Sequence, residues 1–299
     1  MTLLSGFSGT MKKFSWKLLL VLFLVSFQAG CVKLALQFSP SLIPNLTQAL
    51  FEECDPELAR QSLPADLKLM EGLLKSDPNN RQLLTSLCMG FTGYAMLFVE
   101  DEDPERASHL YLRARTYGLM AIGQNSPASQ QSAVKKETIR KTLSAFGTEA
   151  LKALFWTAMS WNAWINLNLD KPAALAQLGI AQAFLDRVLE INPEYFYGSP
   201  YVLMGSILAA RPELLGGNPA RAKEYFEKAM HVSHGRFFLV HYCFAKYYAV
   251  RIQDRELFLR LIKEVDTTSS RELKEVCLIN AVMKQKAKRL MEISEELFF

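Results

Sequence analysis

AQAFLDRVLEINP, residues 181–193, is the stretch on which the fold of this chain turns. It places a small residue at Ala181, a large one four later at Leu185, another apolar residue three on at Val188, and a proline at Pro193. That is the spacing of the second helix of a tetratricopeptide hairpin. The small residue lets two helices approach, the large one fills the gap beside it, and the proline ends the helix. Ala222, Phe226 and Ala229 repeat the pattern in NPARAKEYFEKA, residues 218–229. Ala107, Tyr111 and Ala114 fit it without the proline, and Asp66, Met70, Leu73 and Pro78 fit it with weaker residues.

Outward from these units, apolar residues recur every three or four positions, and sustained alternation is hard to find. Asp77-Pro78, Asp103-Pro104, Asn192-Pro193 and Asn218-Pro219 each set a capping side chain before a proline suited to a first helical turn. The spacing predicts an all-α chain of TPR-like helical hairpins. Insertions at Val99–Asp103 and Arg211–Asn218 make the repeat irregular. The hairpins are therefore expected to wrap into a compact superhelical body, and a generic helical bundle is the plainer alternative.

The chain has 299 residues, half of them hydrophobic and 21% charged, which supports a sizeable core and argues against disorder. Mean hydropathy is only +0.05, too low for a polytopic membrane protein. The net charge of +4 is uneven. Lys12, Lys13 and Lys17 are the only charges in residues 1–30, so the remainder is nearly neutral. No nucleic-acid partner is expected of such a body. The four histidines are too scattered for a histidine-built centre. His231 and His234 lie in HVSHG, which reads as a helix end stopped by Gly235. No catalytic motif, metal site or cofactor is expected.

The N-terminus reads as an address. Lys12 and Lys13 precede the ten-residue apolar run Leu18–Phe27, too short to span a bilayer, which takes about 20 residues. A charged region, a short apolar run and small residues at Ala29 and Gly30 make an export signal over residues 1–30. MKKFSWKLLL from Met11 also reads as a complete start. Ala29-Gly30-Cys31 resembles a bacterial lipobox, with Gln28 where an aliphatic residue is usual. Acylation of Cys31 would fix the chain to a membrane through two or three acyl chains. Val32 is not the aspartate of an inner-membrane retention signal, so the outer membrane is favoured. The expected organisation is a signal peptide at 1–30, a lipidated lead-in at 31–60 and a helical domain at 61–299. Of the other cysteines, Cys54, Cys88, Cys243 and Cys277, no pair has C-x-x-C spacing. An oxidising compartment permits disulfides, while Cys88 and Cys243 lie in apolar stretches that suit buried free thiols.

Three blocks together resemble a known family: LCMGFTGYAMLFVEDEDPERASHLYLRARTYGLMAI (87–122), ALFWTAMSWNAWINLNLD (153–170), and residues 188–266 with INPEYFYGSPYVLMGSILAARPELLGGNPARAKEYFEKAM and GRFFLVHYCFAKYYAVRIQDRELFLRLIKEV. They resemble the TatT family, the T component of TPR-associated TRAP transporters. The polar segment Gln124–Lys136 departs from it. The resemblance implies a periplasmic lipoprotein with an all-α, TPR-like fold and a cavity or pore in each protomer of a homotrimer. It implies work beside a periplasmic solute-binding protein that feeds an ion-driven TRAP permease, and an apolar or organic-acid-like ligand. The contrasting expectation is a TPR-type lipoprotein scaffold for envelope assembly, with no ligand cavity.

An apolar ligand needs a greasy lining with a few fixed polar groups. The candidate wall is Trp156, Trp161 and Trp164 with Asn162 and Asn166, whose amides, four apart, share a helix face. The same tryptophans can instead fill space between hairpins. Phe91, Tyr94 and Phe98 form a second aromatic stripe, read as core. Arg211 opens the most irregular loop, RPELLGGNP. Tyr247 and Arg251 stand at a helix end, where Arg251 can meet an anion and Asp254 can cap. Glu100, Asp101, Glu102, Asp103 and Glu105 read as a solvated acidic turn, or else as a cation or partner surface. The last helix is expected to set Ile279, Met283 and Leu290 inward and Lys284, Lys286, Lys288 and Arg289 outward, capping the stack.

Overall fold

The computed structural model describes residues 41–123 and 136–298. The signal segment, Cys31 and nearly all of the polar segment after Gly123 lie outside them. Among the described residues there is no strand. The main helices are α1 (Leu42–Glu52), α2 (Pro56–Ser76), α3 (Arg81–Tyr94), α4 (Pro104–Ala121), α5 (Lys136–Leu143), α6 (Leu151–Asn166), α7 (Leu178–Ile191), α8 (Tyr195–Ala210), α9 (Pro219–Ser233), α10 (Phe238–Cys243), α11 (Arg255–Thr267) and α12 (Cys277–Glu292). α3 and α10 each run on into a π-helical segment, Ala95–Val99 and Phe244–Ala249. With its extension, α3 is apolar and long enough to cross a membrane by composition, but it is a mostly buried core helix.

Asp103, Asn218 and Asp254 cap helices as expected, whereas Asp77 and Asn192 stand at the ends of the preceding helices and Asn80 takes the cap expected of Asp77. Asp55, Asn80, Asp103, Asn218 and Asp254 each accept an N–H from the first turn of α2, α3, α4, α9 and α11. α3/α4, α6/α7, α8/α9 and α10/α11 form antiparallel hairpins, and α4 also packs on α6. The small–large–small register holds in three units. Ala107, Tyr111 and Ala114 are fully buried, as are Ala181, Leu185 and Val188, and Ala222, Phe226 and Ala229. It fails in the fourth. Asp66 is exposed, while Leu63, Leu67 and Leu74 of α2 point inward, so the buried stripe runs one residue off the expected one. Burying three leucines outweighs a weak match that would bury a carboxylate.

Close helix approach needs Gly118. A Cβ there would lie 2.1 Å from Thr157 Oγ1 and 2.9 Å from Cys88 Sγ, so α4 touches α6 and α3 at this point. α8 starts from a left-handed turn, with Phe196 at φ 49°, Tyr197 at φ 58° and Gly198 at φ 78°. Such angles cost about 1–3 kcal/mol at a non-glycine residue. An aromatic cluster holds them: Phe196 packs against Phe51, Trp156 and Phe237 at 5.5–5.8 Å between ring centres.

The stack closes on itself. α12 packs on α10 and α11 and also on α1, α2 and the π segment after α3. Cys54, between α1 and α2, is disulfide-bonded to Cys277 at the start of α12. Cys88 and Cys243 are free and buried, and burial pushes both thiols up to about 12. α12 also corrects one expectation. Lys286 is 5% exposed and faces inward, because it continues the buried row Ile279, Met283, Leu290 at steps of three and four.

Candidate functional site

The first helices of the four hairpins, α3, α6, α8 and α10, face one another around a cavity of about 360 Å³, with α12 and Tyr111 of α4 completing the wall. Most of the lining is apolar, with Met96, Met159, Ala163, Leu203, Leu239 and Met283 among it. The lining becomes polar where the π segments of α3 and α10 meet α12. There Glu100, Tyr111, Tyr242, Lys246, Tyr247 and Lys286 converge.

Asp101 ties this polar end together. Its carboxylate lies 2.5 Å from Lys286 Nζ and 3.4 Å from Lys246 Nζ. Burial works against its charge, but Lys246 and Lys286 outweigh burial and hold the Asp101 carboxyl below its ordinary value. Burial pulls Lys286 below the usual lysine range, with Asp101 opposing. Lys246 stays above that range: its burial is outweighed by Tyr247, Tyr242, Asp101 and Glu100. Lys246 Nζ also sits 5.4 Å and 5.5 Å from the ring centres of Tyr242 and Tyr247. Tyr111 donates its hydroxyl proton to Glu100, and burial with that neighbour raises its phenol far above the normal value. Burial pushes Tyr242 up to about 12, so the phenols stay protonated donors near neutral pH. Each ammonium has three N–H donors, and Asp101 engages one from each. Those that remain suit an oxygen-bearing head group, while the methionine- and leucine-lined part suits an apolar body.

The expected wall is only partly here. Asn166 lines the cavity, and its Oδ1 is buried without a hydrogen-bond partner. Tyr247 lines it too. The tryptophans are core residues. Trp156 packs edge-on to Phe155 and Phe196. Trp161 is fully buried, donates Nε1–H to Gln177 Oε1 and lies under the Arg115 guanidinium, which also covers Trp164. The reason is size. An indole removed from water contributes more between hairpins than along an open cavity. Asn162 faces away from the cavity, donating to Ala158 O and accepting from Arg211. Arg251 is exposed at the α10–α11 corner, where Asp254 caps α11.

The acidic turn is solvated, as one reading has it, with Asp101, Glu102, Asp103 and Glu105 exposed, yet most of its carboxylates are engaged. Glu100 lines the cavity, Asp101 pairs with the lining residues Lys246 and Lys286, Glu102 pairs with Arg60, and Asp103 caps α4. Sequence reading missed Lys246 altogether and set Lys286 on the wrong face. The signal for Lys286 was its step of three from Met283. His241 is buried against Glu264, 3.2 Å from Nε2, and burial lowers its pKa against the pull of Glu264. Among the described residues no group of three His, Cys, Asp or Glu is placed to hold a metal ion.

A family model described as the TRAP transporter T-component, TAtT, matches residues 52–298. An uncharacterized protein of Treponema pallidum (strain Nichols) is 27% identical over 199 residues, covering 61% of this chain and 62% of that relative. The chain therefore spans less than two thirds of the relative's length.

Proposed function

The chain belongs to the TRAP transporter T-component family, and from that premise we propose that it holds, in its central cavity, an apolar ligand with one polar end, bound for or released by a periplasmic solute-binding protein. The carrying observation is the meeting of a methionine- and leucine-lined cavity of about 360 Å³ with Lys246, Lys286 and three tyrosines at one end. An aliphatic carboxylic acid is the ligand class with matching chemistry: the chain leaves water, and the head group accepts from ammonium and phenol donors. The buried Asn166 Oδ1 would accept from a ligand hydroxyl. Burial holds the lining Cys243 thiol and Tyr111 phenol protonated, which supports reading the site as the binding site of a transport accessory.

The test uses decanoate titrated into the purified full-length protein by calorimetry, with decanol for comparison. Decanoate is expected to bind one to one, and decanol at least tenfold more weakly. Ala163→Phe, which sets a ring in the cavity, is expected to weaken decanoate at least tenfold while melting within a few degrees of wild type. Absence of decanoate binding, or binding indifferent to Ala163→Phe, would overturn the reading.

The proposal includes a lipid anchor at Cys31, a place on the periplasmic side of the membrane, with the outer membrane favoured, and assembly as a homotrimer. Cys31→Ser is expected to move the protein from the detergent-requiring membrane fraction to the soluble one; a variant still requiring detergent would remove the anchor from the account.

A further inference from the structure

A second feature lies outside the cavity, in a groove of about 470 Å³ between α7, α8 and the first turns of α9. Arg211 forms its floor. The side chain is 4% exposed, and its one hydrogen bond runs from Nη2 to Asn162 Oδ1 at 2.9 Å. Nε is buried with no partner. A guanidinium carries five N–H donors, so most of this one's capacity is unused. Burial alone pulls Arg211 down to about 10, with no carboxylate acting on it. Leaving a buried cation without a counter-charge is costly.

The rest of the groove does not supply that counter-charge. Arg221 stands at the rim over the Tyr225 ring, 6.0 Å from its centre. Asp186 is the acid in the lining, and it already accepts from Arg140 at 3.0 Å and from Gln182 Nε2 at 2.8 Å. The loop after α8 pins Arg211 in place. Gly217 N–H bonds to Pro212 O and Asn218 N–H to Leu208 O. A Cβ on Gly217 would lie 1.8 Å from the Arg211 carbonyl oxygen, so only glycine lets the loop fold back this closely. The arginine is thus held rigidly on the floor of an open groove, with donors unused.

We propose that this groove is a carboxylate-binding site separate from the central cavity, with Arg211 at its floor and Arg221 at its rim taking one carboxylate group. The inference does not depend on what the cavity holds. The carboxylate can come from a free organic acid or from the end of a protein chain. Leu214, 95% exposed at the tip of the same loop, gives a protein segment an apolar contact that a small acid lacks.

The experiment follows the side-chain Nε–H resonance of Arg211 in full-length, arginine-labelled protein in detergent. The signal is identified by its loss in Arg211→Gln, or in Arg211→Lys if the first variant does not fold. Sodium propionate and propionamide are titrated at constant ionic strength set with sodium chloride. A saturable shift with propionate and none with propionamide is expected, with at least a threefold weaker response in Arg221→Gln. N-acetyl-Leu-Leu with a free carboxylate is then compared with its C-terminal amide. Tenfold tighter binding of the free peptide than of propionate identifies a chain end as the source, and equal binding identifies a small acid; both support the site. An Arg211 signal that moves with neither carboxylate, or equally with propionamide, overturns the proposal.

Discussion

Asp101→Ala is expected to destabilise the protein by about 2–3 kcal/mol, whereas Lys286→Met is expected to change stability by less than about 1.5 kcal/mol. The asymmetry follows from what each change leaves behind. Asp101 lies between Lys246 and Lys286, and the Lys286 side chain is only 4% exposed. Without the carboxylate, the buried Lys286 ammonium and the part-buried Lys246 ammonium face each other with only the more distant Glu100 to offset them. Lys286→Met removes one buried cation and leaves Asp101 with Lys246, in a pocket already lined by methionines. Urea unfolding reads both: a lower midpoint at unchanged slope for Asp101→Ala, and little change for Lys286→Met. The same pair predicts an acid limb. The Asp101 carboxyl is held below its ordinary value in the fold. Between the folded and unfolded pKa the unfolded chain binds more protons, so this stabilisation is present above about pH 4 and is lost as pH falls through the folded value. Asp101→Ala should lack this part of the acid slope. A slope identical to wild type would remove Asp101 from that role.

Loss of the Cys54–Cys277 bond is the other large expected effect. The two cysteines are 223 residues apart in sequence. On the chain-entropy account such a loop stabilises by about 5 kcal/mol, and removing a native disulfide typically costs about 2–5 kcal/mol. Each kcal/mol shifts the melting temperature by roughly 2–4 °C in a chain of this size, so Cys277→Ser is expected to melt about 4–20 °C lower. The bond also bears on cooperativity. In an open helical array each repeat meets only its neighbours, and the ends unravel alone. Here α12 packs on α1 and α2 and the disulfide locks that seam, so the ends of the stack are one structure. The wild type is expected to unfold in a single transition. Cys277→Ser should lose protection from hydrogen exchange first in α1 and α12, ahead of α6 and α8. Uniform loss of protection throughout would mean that the seam does not gate unfolding.

How far the sequence could be read follows from how local each feature is. The helices, the caps at Asp103, Asn218 and Asp254 and three hairpin registers depend on residues within a dozen positions of one another, and spacing exposes them; Asp77 and Asn192 show that an acid or amide before a proline ends a helix as readily as it starts one. The α2 register was misread because Asp66 and Leu67 are neighbours and the pattern tolerated either. The polar end of the cavity was hidden for a different reason. Lys246 and Lys286 meet Asp101 from 145 and 185 residues away, and no periodicity encodes such a meeting. The tryptophans drew attention by residue type, yet a large apolar ring is as well suited to a core as to a pocket. Arg211 was visible as the first residue of an irregular loop, but its burial depends on Asn162 and the returning backbone at Gly217.

The two π segments set the cavity's chemistry through chain length. An α-helix turns by about 100° for each residue, and a π turn holds one residue more than the α turn it replaces. Winding residues 95–99 as ordinary α-helix with none removed would swing Glu100 and Asp101 about a quarter of the way around the axis, whereas deleting one of the five would restore the α turn and keep both near their present direction. The same holds for 244–249, where α-helical winding of the unshortened segment would shift the frame of the residues after it. Whether this apolar chamber has a charged end is therefore a matter of phase: two insertions of one residue each, in helices far apart along the chain, bring acid and base to the same depth.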